Sequence, residues 1–561
     1  NPTNDTWIPL LDFIGYPNNE WGLAGTESIG LDAQNTNRLY LSCGWLGDRN
    51  EIMISTDRGA NFTRINAPFV IRANNDGRGT GERFGVDPNL GSTLFYGTRE
   101  DGLWKSVNHA ANWAKVNSFP VSATANGVGI SFVEFVRSSG TPGSATPVIW
   151  VGVSQTGTNL FRSTDGGLTW TGIAAGVPAN CMPLRAAQDG VGNMYVTFCD
   201  AAGPGGISSG VVRKFNLTTL ASTDVTPPVG QGGFSGVSVD RQNPNRIVVT
   251  TANRWWPRSD IYRSTDGGTN WTAIYDGTVD TSSAPWVGSK GPVVQGWMFD
   301  VKIDPYNSDR VYFTSGGGIY SSYNFTAATP AWQFRSTGLE ETAFTGVGNN
   351  LASPPSGPQL WSVLGDIGGF THYDLDISPP ATDFFTPLWG NRYGIDFAEQ
   401  NPNLVVCTYY SGSRGGYFST NYGSTWSAFP TTPPPAQTDS GPGYVAISAD
   451  GNRLVWTIAG SAPYYSTDRG VTWTPCAGSN LTPTLSWIEP FCFSDRVNPN
   501  KFYLYYRDTG KVFVSTDGGA SFALASTITT WGESMRPAYS QEGSLWVAIS
   551  DGLWRTTNSG A

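Results

Sequence analysis

Charge is scarce in this chain, and that scarcity excludes several functions. Only 14% of the 561 residues are Asp, Glu, Lys or Arg, and the 34 Lys and Arg are scattered without forming a basic stripe, within a net charge of −10. A nucleic-acid partner is therefore not expected. No run of about 18 apolar residues occurs, so no helical membrane span is expected. Six cysteines (Cys43, Cys181, Cys199, Cys407, Cys476, Cys492) form no Cys-x-x-Cys pair, and His109 and His372 are the only histidines. That argues against a zinc site, and neither metal nor organic cofactor is expected. Helical periodicity is nearly absent.

Glycine and aromatic residues are plentiful instead: 69 Gly, 22 Trp, 23 Tyr and 28 Phe. Tight turns and β-strands use such residues, and flat rings on a low-charge β-protein suit the apolar faces of sugars. Most of these rings are nevertheless expected to be core.

One phrase recurs, Ser-Thr-Asp-x-Gly-x-x-(Trp/Phe). Clear copies begin at Ser55, Ser163, Ser264, Ser466 and Ser515, weaker ones at Ser106 and Ser419, and a last one at Thr556. The Asp is expected to accept backbone N–H bonds one or two residues on, closing a turn. The Gly is expected to supply φ > 0, and the aromatic residue to enter the next strand as a peg. Asp57, Asp165, Asp266, Asp468 and Asp517 thus read as turn residues, because chemistry does not need one acid five times and a repeated turn does. Adjacent copies lie 41 to 57 residues apart, with Ser321 to Asn324 (SSYN) where one missing copy belongs. A period of ~50 residues fits a four-stranded propeller blade. About eleven such units fit, too many for a single ring of about 4–8 blades. The expected fold is all-β, two propellers in tandem built on Asp-box (BNR-type) repeats, over residues 1–336 and 337–561, the second incomplete at its C-terminal end. The stretches 350–358 and 430–442 read as Pro-rich loops.

Cys181 with Cys199, and Cys476 with Cys492, are close enough in sequence to staple a blade. Together with six Asn-x-Ser/Thr sequons (Asn4, Asn61, Asn216, Asn270, Asn324, Asn480), they point to a secreted eukaryotic glycoprotein. The chain opens on Asn1-Pro2 without a signal peptide, as a processed chain or a fragment does.

The segment that breaks the repeat is Leu360 to Asp376, LWSVLGDIGGFTHYDLD. Asp366 stands at a strand end before two adjacent glycines, which allow close approach of backbone or ligand. By residue type alone, a lone acid there is more often a turn residue. The boxes, GDIGGFTHYDL (365–375), TWIPLLDF (6–13), GRGTGERFGVDPN (77–89), SVDRQNPNRIVVTTANRWWP (238–257), SAPW (283–286) and GWMFDVKIDPYNSDRVY (296–312) together resemble glycoside hydrolase family 74, over nearly the whole chain and in order.

That resemblance implies two seven-bladed propellers with a substrate cleft between them. It also implies inverting hydrolysis of the β-1,4-glucan backbone of xyloglucan by two Asp residues. Asp366 matches the general acid. The family's other Asp belongs to a segment just upstream of TWIPLLDF, so the general base is expected ahead of residue 1, and both ends read as truncated. Trp255, Trp256, Trp286, Trp297, Trp389 and Tyr393 are candidate sugar contacts. Arg78 and Glu82, with Arg83 in the same Gly-rich loop, are candidates to bond sugar hydroxyls or to pair with one another. Chain-end-specific members carry a longer insertion near Trp286 to Trp297, where only ten residues (VGSKGPVVQG) intervene here, so an open cleft and internal cleavage are expected. The expected partner is xyloglucan or a related β-glucan, and the expected state an extracellular monomer. The alternative is a non-catalytic double propeller that binds plant polysaccharide. A sialidase would need an Arg-Ile-Pro segment, which does not occur.

Overall fold

The computed structural model describes every residue except 1–5, 12, 15–20, 24, 48, 229–231, 256–257, 289–296, 340–349, 381–390, 411–413, 435–441, 484–488, 529–531 and 550–551. Strands dominate it. Among the described residues the only helical pieces are the turns Trp21–Leu23 and Arg137–Ser139 and the single turn Pro285–Gly288. The strands are rich in β-branched and aromatic residues that fill a pleated surface; Ile149–Val153 (IWVGV) is buried along its whole length.

The chain forms two compact units, residues 1–283 with 291–340, and residues 284–290 with 341–561. Among the described residues of the first unit, six four-stranded antiparallel meanders follow one another: sheets 1 to 6, at 26–66, 84–115, 130–173, 182–224, 233–273 and 300–334. In the second unit the described residues form five: sheets 7 to 11, at 351–372, 391–428, 444–475, 491–527 and 532–556, with three described strands in the first and the last. Within each unit the first strand of a sheet packs on the first strand of the next. This is the radial order of propeller blades, with the opening strands innermost.

The hydrophobic cores lie between neighbouring blades. Tyr40, Phe69, Phe84 and Tyr96 fill the space between sheets 1 and 2. Phe132, Trp150, Met194 and Phe215 do so between sheets 3 and 4, and Phe397, Val405 and Trp361 between sheets 7 and 8. Much of the aromatic content is spent here.

The recurring phrase builds the same loop each time. The Ser hydroxyl accepts the N–H of the residue four positions on: Gly59 (2.7 Å), Gly167 (2.8 Å), Gly268 (2.9 Å), Gly470 (2.9 Å) and Gly519 (2.9 Å). It donates to the Asp carboxylate, as in Ser264 Oγ to Asp266 Oδ1, 2.9 Å. The Asp accepts the N–H four residues beyond itself, at 2.9 Å from Asn61, Thr169, Asn270, Thr472 and Ser521. The expected short-range bond to the Asp is thus made by the Ser. The reason is that two successive residues are left-handed, not the Gly alone: Arg58 and Gly59 (φ 63° and 91°), Arg469 and Gly470 (57° and 79°). Together they curl the loop back so that a distant N–H reaches the carboxylate. At the weaker copies Asn108 and Asn421 fill the Asp position with the same bonds. The degenerate copy begins at Ser322, whose hydroxyl donates to Asn324. The closing aromatic pegs the loop into the core shared with the preceding blade. Trp170 packs edge-on against Phe119 (5.2 Å), and Trp473 against Trp456 (5.3 Å).

The inferred disulfides need correction. None of the six cysteines is in a disulfide, and all are buried. Cys181 and Cys199 enter different inter-blade cores, and Cys199 donates its S–H to the Phe234 carbonyl (3.1 Å). Cys476 and Cys492 share one core, but Cys492 donates to the Tyr444 carbonyl (3.2 Å). Three sequons belong to the boxes. The Asn61 and Asn270 amides donate to Asp57 and Asp266, each at 2.7 Å, and Asn324 takes the Asp position. Asn4 lies outside the described residues. No helix among the described residues is long and apolar enough to cross a membrane.

Bonds from Asn270 and Ser264 hold the Asp266 carboxyl down to about 2, and bonds from Thr472 and Ser466 do the same for Asp468. A depressed carboxyl contributes stability above its unfolded value of about 4 and loses it as pH falls through the folded value. Acid unfolding followed by Trp fluorescence is expected to begin in that window. Ser264→Ala, which strands two N–H groups, is expected to cost ~1–3 kcal/mol in denaturant melts. Asp266→Asn is expected to cost less, because an Asn Oδ1 still accepts the Ser hydroxyl and the loop N–H, as at Asn108 and Asn421, and the bond from the Asn270 amide is what is lost.

Candidate functional site

Asp366 sits at the tip of a hairpin in sheet 7. Leu360–Leu364 pairs with Gly368–His372, Ser362 opposite Phe370 and Leu364 opposite Gly368. Three residues close it, and the closure is tight. Ile367 N–H donates to the Gly365 carbonyl across Asp366 (2.6 Å), and Gly369 N–H to the Ile367 carbonyl (3.1 Å). These are two successive i→i+2 turns. The first forces Asp366 to φ 60°, and Gly368 follows at 82°. A non-glycine residue in that region is held at a cost of about 1–3 kcal/mol and persists only where its surroundings impose it. Here Asn391 helps impose it, its Oδ1 accepting the Asp366 N–H at 2.8 Å. The Asp366 carboxylate is left exposed.

Strand direction determines what shares this end of the blades. In an antiparallel meander, the connection between the second and third strands lies at the end where the first strand begins. Asp366 therefore lies at the end shared by Asn391 and Tyr393 on the opening strand of sheet 8, Gly443 before sheet 9 and Glu489 before sheet 10. Tyr393 is half-buried. Burial first, then the nearby Glu489 and Asp366 charges, push its hydroxyl up, while a bond from Asn391 works against them. Glu489 accepts the Gly443 N–H (3.2 Å). Burial pushes its carboxyl up to about 7, against the pull of that bond and of Arg414 and Arg507.

In the first unit the structure brings three of the expected residues together. The Arg78 guanidinium lies over the Trp297 ring at 5.8 Å, and Trp255 meets Trp297 edge-on at 6.0 Å. Trp255 is half exposed, with its indole N–H held by Asn253 Oδ1 at 2.8 Å. The Gly-rich loop needs its glycine at position 79, where a Cβ would stand 2.2 Å from the Phe299 ring. Glu82 does not join this group. It accepts the Ser28 hydroxyl (2.7 Å), pairs with Arg185 (3.4 Å) and lines an open cavity of about 700 Å³ among the inner strands of sheets 1 to 5. Arg185 also pairs with Asp300 (3.2 Å). Arg83 turns inward, buried against Glu27, which also pairs with Arg99. Removing one member of such a buried network would leave an uncompensated charge.

Trp286 belongs to the second unit and packs edge-on against Phe370 at 5.3 Å. Trp256 and Trp389 lie outside the described residues. No cluster of three or more metal-ligating side chains occurs among the described residues. Sequence reasoning missed Asn391 and Glu489. Neither belongs to a repeat or a motif, and only strand order brings them towards Asp366.

Comparison with known proteins adds context. The family described as BNR/Asp-box repeat matches residues 464–475, the box beginning at Ser466. A xyloglucanase of a Paenibacillus species is 36% identical over 100% of this chain and 58% of its own length. Xyloglucanase Xgh74A of Acetivibrio thermocellus is 36% identical over 98% of this chain and 69% of its own. This chain thus spans between half and three quarters of these curated relatives. The crystal structure of the GH74 xyloglucanase from Xanthomonas campestris superposes with a TM-score of 0.89 at 31% identity, covering 100% of this chain and 82% of that one.

Glu489 generates a prediction of its own. A carboxyl raised in the folded state binds its proton more tightly than in the unfolded chain. Stability should therefore fall as pH rises from about 4.5 towards 7. Glu489→Gln is expected to remove this slope, worth on the order of 1–3 kcal/mol, in urea melts at about pH 5 and about pH 8, which span most of the titration.

Proposed function

The chain belongs to glycoside hydrolase family 74, and on that premise we propose that it hydrolyses the β-1,4-glucan backbone of xyloglucan, internally and with inversion of configuration. The observation that carries this reading is the presentation of Asp366. It is an exposed carboxylate on a strained, externally braced hairpin tip, in a chain matched along 98–100% of its length by xyloglucanases.

In this reading Asp366 is the general acid. Its carboxyl proton passes to the glycosidic oxygen as the C1–O bond breaks and the sugar-chain alcohol departs. A second carboxylate, about 6.5–9.5 Å away, takes a proton from water that adds to C1 from the opposite face. The rigid turn favours this role, because the acid must meet the leaving oxygen at hydrogen-bond distance.

Trp255 and Trp297, with Arg78 lying over the latter, supply an aromatic surface for glucosyl faces. The short connection of ten residues between Trp286 and Trp297 favours internal cleavage. We place the enzyme outside the cell, acting as a single chain, because a polysaccharide does not cross a membrane unaided.

Asp366→Asn is expected to lower xyloglucan hydrolysis about 10²–10⁴-fold, with viscosity and released oligosaccharides followed together. In the wild type, viscosity should drop before much reducing sugar appears, as internal cutting requires. An active Asp366→Asn enzyme would overturn the assignment. Trp255→Ala and Trp297→Ala are each expected to raise KM about tenfold, equivalent to ~1.4 kcal/mol, with kcat little changed.

A further inference from the structure

We propose that Trp286 is a positioning residue for Asp366: it braces the hairpin that carries the acid and does not act as a sugar-stacking ring. The inference rests on the reading of Asp366 as general acid.

Residues 284–290 group with the second unit, although the chain on either side of them groups with the first. Ala284 and Val287 are buried, and Val287 N–H closes a turn onto the Ala284 carbonyl at 3.0 Å. From this turn the Trp286 ring meets Phe370 edge-on at 5.3 Å and 77°.

Trp286 joins Leu364, Ile367 and Phe370 in one small apolar cluster. Those three partners stand two residues before, one after and four after Asp366. The cluster thus draws on both strands leaving the turn and on the turn itself, and the indole is its member from outside the hairpin.

The turn needs such a brace. Asp366 is left-handed, and the bond across it spans only i→i+2. Asn391 holds the backbone N–H, and the cluster around Trp286 holds the side chains flanking it. Truncating the ring would open a void that Phe370 and Ile367 would move to fill. The turn would relax with them and carry the carboxylate away from the leaving oxygen. A displacement of ~1 Å from such a change costs about 10²-fold in rate.

The test uses the full chain as wild type, Trp286→Ala, Trp286→Phe and Asp366→Asn. Three quantities are measured: kcat and KM on xyloglucan, Kd for a xyloglucan oligosaccharide in the Asp366→Asn background with and without Trp286→Ala, and turnover of an aryl xyloglucan oligosaccharide whose phenolate leaves without protonation. Trp286→Ala should lower kcat on xyloglucan about 10- to 100-fold and leave KM and Kd within about twofold. Trp286→Phe should recover most of the rate. The deficit should shrink on the aryl substrate, as it does when only the acid is misplaced and as a general loss of structure would not allow. If Trp286→Ala does not fold, Trp286→Leu takes its place in every comparison.

An unchanged kcat, a Kd weakened about tenfold or more, or an equal deficit on both substrates overturns the positioning role. Full activity of Asp366→Asn overturns the acid reading instead, and an inactive wild type overturns both.

Discussion

Everything in this molecule hangs on a hydrogen-bonded pair that recurs at the outer edge of the blades, a Ser hydroxyl and an Asp or Asn two residues on. The hydroxyl accepts one N–H from within the loop, and the Asp or Asn accepts another from its far side. Between them two residues are held left-handed. This closes the turn between the third and fourth strands and delivers an aromatic ring into the core shared with the preceding blade. A single four-stranded meander buries too little to stand alone. Repetition of the peg turns a row of marginal sheets into stacked layers whose cores are continuous from blade to blade.

That economy leaves the other end of the blades free for chemistry. The connections between second and third strands, and the segments that lead into the first strands, carry no box and are not bound by its geometry. Asp366, Asn391, Tyr393 and Glu489 in the second unit lie at that end, as do Trp255, Arg78 and Trp297 in the first. The strain stored at Asp366 fits this division. Box loops adopt left-handed residues within a dense set of their own hydrogen bonds, whereas the Asp366 turn is supported from outside, by an amide on the next blade and by the cluster around Trp286.

Much of this was legible in the residues. The box spacing implied about eleven units, and eleven sheets are described. The acid that broke the repeat stands at a strand end, as its flanking glycines suggested. The loop's internal bonding was misjudged because a motif shows which polar residues recur and not which N–H each will meet. The cysteine pairs were misjudged for a related reason. Closeness in sequence says nothing about which face of a strand each sulfur takes, and Cys181 and Cys199 point into different cores. Two sequons read as glycosylation signals, at Asn61 and Asn270, arise because the box prefers a side-chain donor at its seventh position.

What the sequence determined by itself is whatever is local and repeated: the all-β class, the blade period, the turn chemistry and the singularity of Asp366. What the tertiary structure decided is whatever depends on neighbours distant in the chain. It placed Asn391 on the Asp366 N–H, Glu489 near Tyr393, Arg78 over Trp297, Glu82 on Arg185, and Trp286 under Phe370, 84 positions away in number. The physical reason is that a propeller makes neighbours of strand ends from successive blades, tens of residues apart. No periodicity within one blade records which side chains of the next will face it.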